Sequence, residues 1–334
     1  MYAHMQSCVR VTGPQGCLAA LALLAGSVAL ILLRPVIGAP LTAVALLLCW
    51  RALQRANALE KAQRDAERAR RASVGPPTAD AWRRLLELEG LGDVIERIAP
   101  HVRPAVRLVT RQTDESLLGR SRVGGRPDLT ADLAWPRHDN ASLAFLAQVN
   151  LREVAAAAPD VPLPRNGYLW FFCDAAKWDF SSGGAVVLYR DDAARLQPVS
   201  APDDLPRKFV FTNCAVTMEY YQDVPDHEDV DGLMPALGND EGKLEAYLEL
   251  REYLNDGTND ASPHKLLGYA NAIQGRMEAE CVPGAHDWRL LLQVDSDANA
   301  GMMWGDAGRV YFWIRDEDLR AARFDRTCAV LQCY

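Results

Sequence analysis

The residues best spaced for chemistry lie near the C-terminus. Asp295-Ser-Asp297-Ala-Asn299, with Asp306 eleven positions after the first aspartate, has the oxygen-ligand spacing of a calcium loop. Two positions break that pattern. Ala300 stands where such a loop turns on Gly, and Asp306 stands where a bidentate Glu closes the coordination. The stretch is therefore expected to be a hairpin loop whose Asp and Asn side chains serve backbone amides, with no metal and no other cofactor. The chain holds no GxxxxGK[ST], GxSxG, HExxH or GxGxxG, so the commonest nucleotide, hydrolase and metalloprotease signatures are missing and no catalytic residue is assigned. Cys173, Cys214, Cys281, Cys328 and Cys333 form an odd set without a CxxC pair. That spacing argues against a zinc site or a disulfide framework and suits a reducing compartment. Cys328 and Cys333, five apart on a terminal strand, should face opposite ways and simply pack.

Two further constellations could bind. Asp223-Val-Pro-Asp226-His-Glu228-Asp229-Val-Asp231 is the most acidic short stretch, and Tyr220 and Tyr221 precede it. Aromatic anchors inside a charged rim are what interfaces favour, so Tyr220, Tyr221, Asp223, Asp226, Glu228, Asp229 and Asp231 are expected to meet a basic protein. The alternative is a small-ligand or enzyme cleft near Gln148, Gln293, Trp304 and Asp306, between two stretches that echo each other. Leu146-Ala-Gln148-Val-Asn150 parallels Leu292-Gln293-Val294-Asp295, and Gly167-Tyr-Leu-Trp-Phe-Phe-Cys-Asp174 parallels Gly308-Arg-Val-Tyr-Phe-Trp-Ile-Arg-Asp316. His264-Lys265 fits an exposed strand entry or a contact for an anionic ligand.

The elements that must position these residues are mainly strands. Val106–Thr110, Leu143–Val149, Gly167–Cys173, Ala185–Tyr189, Lys208–Thr212, Ala215–Tyr221, Trp288–Val294 and Arg309–Ile314 are rich in β-branched and aromatic residues between turn formers. Thr78–Ile98 has the spacing of two short amphipathic helices split around Gly90-Leu-Gly92, and Lys243–Leu254 has that of one longer helix. The expected class is α+β, with mainly antiparallel sheets and a weak internal duplication.

The N-terminal part differs in kind. Gly16–Leu33 carries no charge, and after Arg34-Pro35 a second apolar run extends from Val36 to Trp50. These runs are expected to form a membrane helical hairpin through residues 16–50. A basic helical stem over Leu53–Ala72 should follow, ended at Gly75-Pro-Pro77. The division is therefore 1–50 hairpin, 51–77 stem and linker, and 78–334 head. Residues 1–74 hold nine Lys/Arg against three Asp/Glu, +6; since the whole chain carries −8, residues 75–334 carry −14. The basic flank after Trp50 places the head in the cytoplasm under an inner membrane. So acidic a head is not expected to bind nucleic acid through phosphates.

From Val106 to Tyr334 the chain resembles the YwqG-like bacterial proteins of unknown function. The resemblance rests on Gly124-Gly-Arg-Pro127 with Trp135-Pro136, on Phe145–Leu151 and on Gly167–Asp174. It rests further on His264–Gln274, Leu291–Asp297, Trp304–Ile314 and Leu331–Tyr334. Ala270-Asn271 departs from the GxP turn more usual there. The resemblance implies an α+β fold and, through relatives encoded beside polymorphic toxin genes, toxin immunity. The expected function is thus an immunity protein, not an enzyme, whose acidic head occludes a cognate secreted toxin, such as a basic nuclease.

Overall fold

The computed structural model describes residues 39–74, 80–178, 180, 183–192, 195–230, 232–237, 241–256, 264–281 and 287–334. They belong to two compact units, Met1–Ser73 and Val74–Tyr334. In the first, α1 (Ala39–Ala72) is one continuous helix of 34 residues. Its proline, Pro40, lies in the opening turn, where a missing N–H costs no intrahelical bond, and the rest is dominated by strong helix formers. Arg70 and Arg71 close the last turn, where cations complement the helix dipole.

This helix corrects the expected membrane hairpin and the inner-membrane location. No helix among the described residues is long and apolar enough to cross a membrane. The second apolar run is not a separate span, because it continues without a break into the segment bearing Arg51, Arg55, Lys61 and Arg64. The first run, 16–33, and the break at 75–77 lie outside the described residues.

In the second unit the strand-forming runs join one ten-stranded sheet. In chain order its strands are β1 (Arg103–Gln112), β2 (Arg122–Val123), β3 (Ala144–Asn150), β4 (Tyr168–Cys173) and β5 (Ala185–Arg190). Then come β6 (Cys214–Asp223), β7 (Lys265–Leu267), β8 (Trp288–Asp295), β9 (Arg309–Arg315) and β10 (Cys328–Gln332). The spatial order is β10-β9-β8-β7-β1-β6-β2-β3-β4-β5, with each neighbouring pair antiparallel.

That order is two interlocked copies of one five-strand unit. β1 and β6 pair at the centre, and each wing is completed by the first strand of the other copy. Arg122 on β2 pairs with Gln148 on β3 and Gln148 with Trp170 on β4; Lys265, Gln293 and Tyr311 repeat that row on β7, β8 and β9. The register slips at the same place in both, between Phe145 and Ala147 and between Leu290 and Leu292. A bulge conserved between copies is a built feature that sets local twist. Gly124-Gly125, just after β2, and Leu267-Gly268, at the end of β7, both turn left-handed, with φ of 65°, 73°, 60° and 72°. Glycine takes that conformation freely, whereas Leu267 takes it at a cost of about 1–2 kcal/mol. At Gly167 and Gly308 a Cβ would lie 2.2 Å from the Arg190 carbonyl and 2.3 Å from the Gln332 carbonyl, so both copies need glycine where the outer strands close in.

The sheet curls so that its wings face each other across the main core. Phe171 of β4 meets Phe312 of β9 with ring centres 5.2 Å apart, and Leu146, Leu169, Leu292 and Ile314 fill the same cluster. On the outer face of the central pair lie α2 (Ala81–Leu88), α3 (Ile95–Ile98), and the later helices α5 (Leu233–Leu237) and α6 (Glu241–Asp256). Trp82, Leu86, Ile98, Leu233 and Leu250 from these segments pack on Ala105 and Tyr221. Helix α4 (Leu151–Ala157) follows β3, capped by the Asn150 side chain accepting from Arg152 N.

Two local expectations are corrected here. Lys208–Thr212 is not a strand: Arg207–Phe209 is a turn of 3-10 helix. The backbone after it bonds to scattered partners, Phe211 O accepting from Gly125 N and Thr212 N donating to Ala300 O. Cys328, expected only to pack, is joined to Cys281 in a disulfide, with Cα atoms 5.7 Å apart. That bond ties α7 (Glu278–Cys281) to β10. Cys173 and Cys214 are buried thiols, and Cys333 is half-buried and free. The bridge closes a loop of 47 residues. Cys281→Ser should therefore cost about 2–4 kcal/mol by loosening the unfolded chain's constraint. Urea denaturation with and without reductant checks this: reductant should destabilise the parent chain by a similar amount and leave the variant unmoved. Equal midpoints for parent and variant under oxidising conditions would refute the tether.

Candidate functional site

Each copy carries a buried polar knot on its outer face, built by the short strand and the segment that crosses over it. In the first, the Arg122 guanidinium pairs with Asp128 and also donates to Arg126 O at 2.7 Å. Gln148 Oε1 accepts from Asp128 N at 2.7 Å and from Trp170 Nε1 at 2.9 Å, while its Nε2 donates to Arg120 O and to Asp128. In the second, Lys265 Nζ donates to Asn271 at 2.6 Å, Asn255 at 2.7 Å and Asp223 at 3.1 Å. Asp223 also accepts from Tyr269 N at 2.8 Å, and Gln293 Oε1 accepts from Asn271 N at 2.9 Å. The charged residues of both knots are 0–4% exposed. Burial lowers the Lys265 pKa to about 8, and the Asp223 charge restores only part of the loss. These knots hold the crossing segments to the sheet, since most of their donors are spent on one another and on backbone carbonyls, although Arg122 Nε is buried without a partner among the described residues.

The calcium-like loop resolves in the same way. Asp295 is held by Arg309 Nε at 2.7 Å, and burial pushes its carboxyl above the usual range against that pairing. Asp297 accepts from the Thr110 hydroxyl at 2.7 Å and from Asn299 N at 2.8 Å, and lies 3.1 Å from His264 Nε2. Because Asp295 N donates to His264 Nδ1, the His264 Nε2 carries the proton toward Asp297. Burial raises the Asp297 pKa, but the hydrogen bonds from His264 and Thr110 outweigh it and leave it below the usual range. His264 and Lys265, read as an exposed strand entry, are 0% and 1% exposed, so that expectation is corrected.

The expected partner loop is largely spent on this chain. Tyr221 and Asp223 are interior, Tyr221 donating to Asn255 at 3.1 Å. Asp226 pairs with Arg251, and Asp229 lies 3.2 Å from Arg276. Tyr220 is half-buried and donates to Asp160 at 3.4 Å, Glu228 is exposed, and Asp231 lies outside the described residues. The expected cleft residues are scattered too. Gln148 and Gln293 sit in the two knots, and Asp306 is exposed, its carbonyl accepting from Tyr334 N at 3.0 Å. Only Trp304 reaches a cleft.

That cleft has a volume of about 310 Å³ and opens at one end of the facing wings. One wall is the turn after β4, with Ala175, Ala176 and Trp178. The buried Asp174 side chain builds this turn by accepting from Ala176 N and Lys177 N at 3.1 and 2.9 Å. The opposite wall is the β8–β9 hairpin, with Gly301, Met303 and Trp304, organised by Asp297. Lys208, Phe209 and Phe211, on the approach to β6, complete it. Trp304 is the floor: it is 1% exposed, its Nε1 donates to Asp295 O at 3.2 Å, and its ring meets Phe211 edge-on at 5.6 Å. Trp178 and Met303 at the mouth are 49% and 65% exposed. Lys208 Nζ lies 4.7 Å from the Phe209 ring centre, within cation–π range. Such a surface can bind flat apolar groups. Gln148, Gln293, Asp223 and Trp304 were singled out in the sequence, but the other knot and cleft residues, such as Arg122, Asp128, Trp178 and Lys208, were not, because their chemistry depends on contacts between distant segments. The one local signal was a Lys inside the apolar run His264-Lys-Leu-Leu-Gly268.

No curated protein matches this chain. Residues 121–333, from β2 through the end of β10, match DUF1963, a domain of unknown function, and the chain belongs to that family.

Proposed function

We propose that this chain acts by binding rather than by catalysis, and that the cleft between its two copies is the recognition site. One observation carries the reading: Trp178 and Met303 stand 49% and 65% exposed over an aromatic hollow. Water-exposed Trp and Met around a concavity are what a ligand site presents, and leaving them exposed otherwise forgoes their burial. Within the DUF1963 family we place the chain with the YwqG-like proteins, on the motifs from Gly124 to Tyr334. The test is a fragment screen by ligand-observed NMR on the full chain and on Trp178→Ala. Fragments should bind the parent and lose binding in the variant. Hits of equal strength in both would sink the cleft as the site.

A second reading is toxin immunity, favoured by the −14 charge of residues 75–334. A basic toxin would be drawn to such a surface. With Tyr221 and Asp223 interior, contacts would fall on Tyr220, Asp226, Glu228, Asp229 and other surface carboxylates. Pull-down with the full chain at low and high salt tests it. Recovery of one basic protein, lost at high salt, supports immunity; recovery unaffected by salt counts against charge-driven occlusion.

A further inference from the structure

We propose that the ligand of this cleft is a small planar anion, a one- or two-ring aromatic carboxylate or a compound of like shape and charge. The inference rests on the cleft being the binding site and adds the chemistry of what fills it. About 310 Å³ is near the lower end of small-molecule sites, which sets the size at a compact ring system and not an extended chain. Trp178 and the half-buried Phe209 offer ring surface above the buried rings of Phe211 and Trp304, an arrangement that favours another flat ring. Among the described residues lining the cleft, Lys208 is the only charged one, in a unit that is otherwise strongly acidic. Its ammonium is held over Phe209 at the rim, and no ion pair engages it among the described residues. A cation beside apolar rings selects a negative charge attached to a ring. A neutral ring would leave the cation unanswered, and a non-aromatic anion would leave the rings exposed.

The probes are 2-naphthoate and its neutral counterpart 2-naphthamide, titrated into the full chain and followed by calorimetry and tryptophan fluorescence. Naphthoate should bind about three- to fivefold more tightly than naphthamide, the size expected for one exposed charge contact. Lys208→Gln should abolish that preference, so that naphthoate and naphthamide bind the variant with equal affinity. Lys177→Gln serves as the control, because Lys177 is exposed and already lies 3.1 Å from Asp139. Equal affinity of the parent chain for both probes, or a preference that survives Lys208→Gln, overturns the anion assignment while leaving the cleft as a binding site. Failure of both probes to bind, or binding undiminished in Trp178→Ala, overturns the cleft reading itself.

Discussion

Replacing Lys265 with Met should lower the stability of the sheet-bearing unit by about 3–5 kcal/mol, the range for removing one partner of a buried ion pair. The volume changes little; the charge accounting changes a great deal. Asp223 is 0% exposed, and without Lys265 its remaining donor is Tyr269 N. The variant also strips Asn255 and Asn271 of the donor that joins them. Chemical denaturation measures the loss, and adding Asp223→Asn to Lys265→Met should recover part of it by removing the stranded charge. The pH dependence gives an independent check. Burial holds the Lys265 pKa at about 8 in the folded chain, below the 10.5 of an unburied lysine. Between these values the unfolded state binds more protons, so this residue's contribution makes stability rise with pH over that window. The parent chain should therefore gain stability relative to Lys265→Met from about pH 8 upward. Parallel pH profiles would show that Lys265 is not titrating in the interior.

Trp304→Ala should cost about 3–5 kcal/mol, as large-to-small changes at buried aromatic sites do. The indole is 1% exposed, rests on Phe211, and hangs the β8–β9 hairpin from Asp295 O. Its removal deletes the floor of the cleft and leaves the Asp295 carbonyl short of a donor. Trp304→Phe keeps part of the ring and should cost less. Urea midpoints for the two variants test the order, and a loss below about 1 kcal/mol for Trp304→Ala would mean that the hairpin is held elsewhere. Ligand binding should fall in Trp304→Ala even at concentrations of denaturant where the chain remains folded. The mouth variant Trp178→Ala should lose binding with little loss of stability, because that side chain is half exposed.

Much of the ladder was legible in the chain because strand formation is a local property of alternating, β-branched and aromatic runs bounded by turn formers. Trp288–Asp295 and Arg309–Arg315 announce themselves in this way. So does the repeat, since Gln148 and Gln293, and Gly167 and Gly308, recur with their neighbours. Lys208–Thr212 has the same local look and is no strand, because pairing needs a free neighbouring edge, and its backbone groups are taken by Gly125 and Ala300. The apolar run to Trp50 was equally local, but a span needs unbroken length, and the helix continues into arginines. Charge and burial were decided further away. Lys265 reads as solvent-facing because lysine nearly always is. It is interior because β1 brings β6 and β7 to either side of itself, placing Asp223, 42 positions earlier, against the ammonium. Cys281 and Cys328 show no pairing motif and meet only through the path of the chain over 47 positions. The composition established the acidic surplus, but which carboxylates remain available depends on where Arg251 and Arg276 arrive. Residue types and their periodicity therefore determined the strands and the duplication, which depend on neighbours along the chain. The polar knots, the disulfide and the cleft depend on neighbours across it, and the tertiary structure alone decided them.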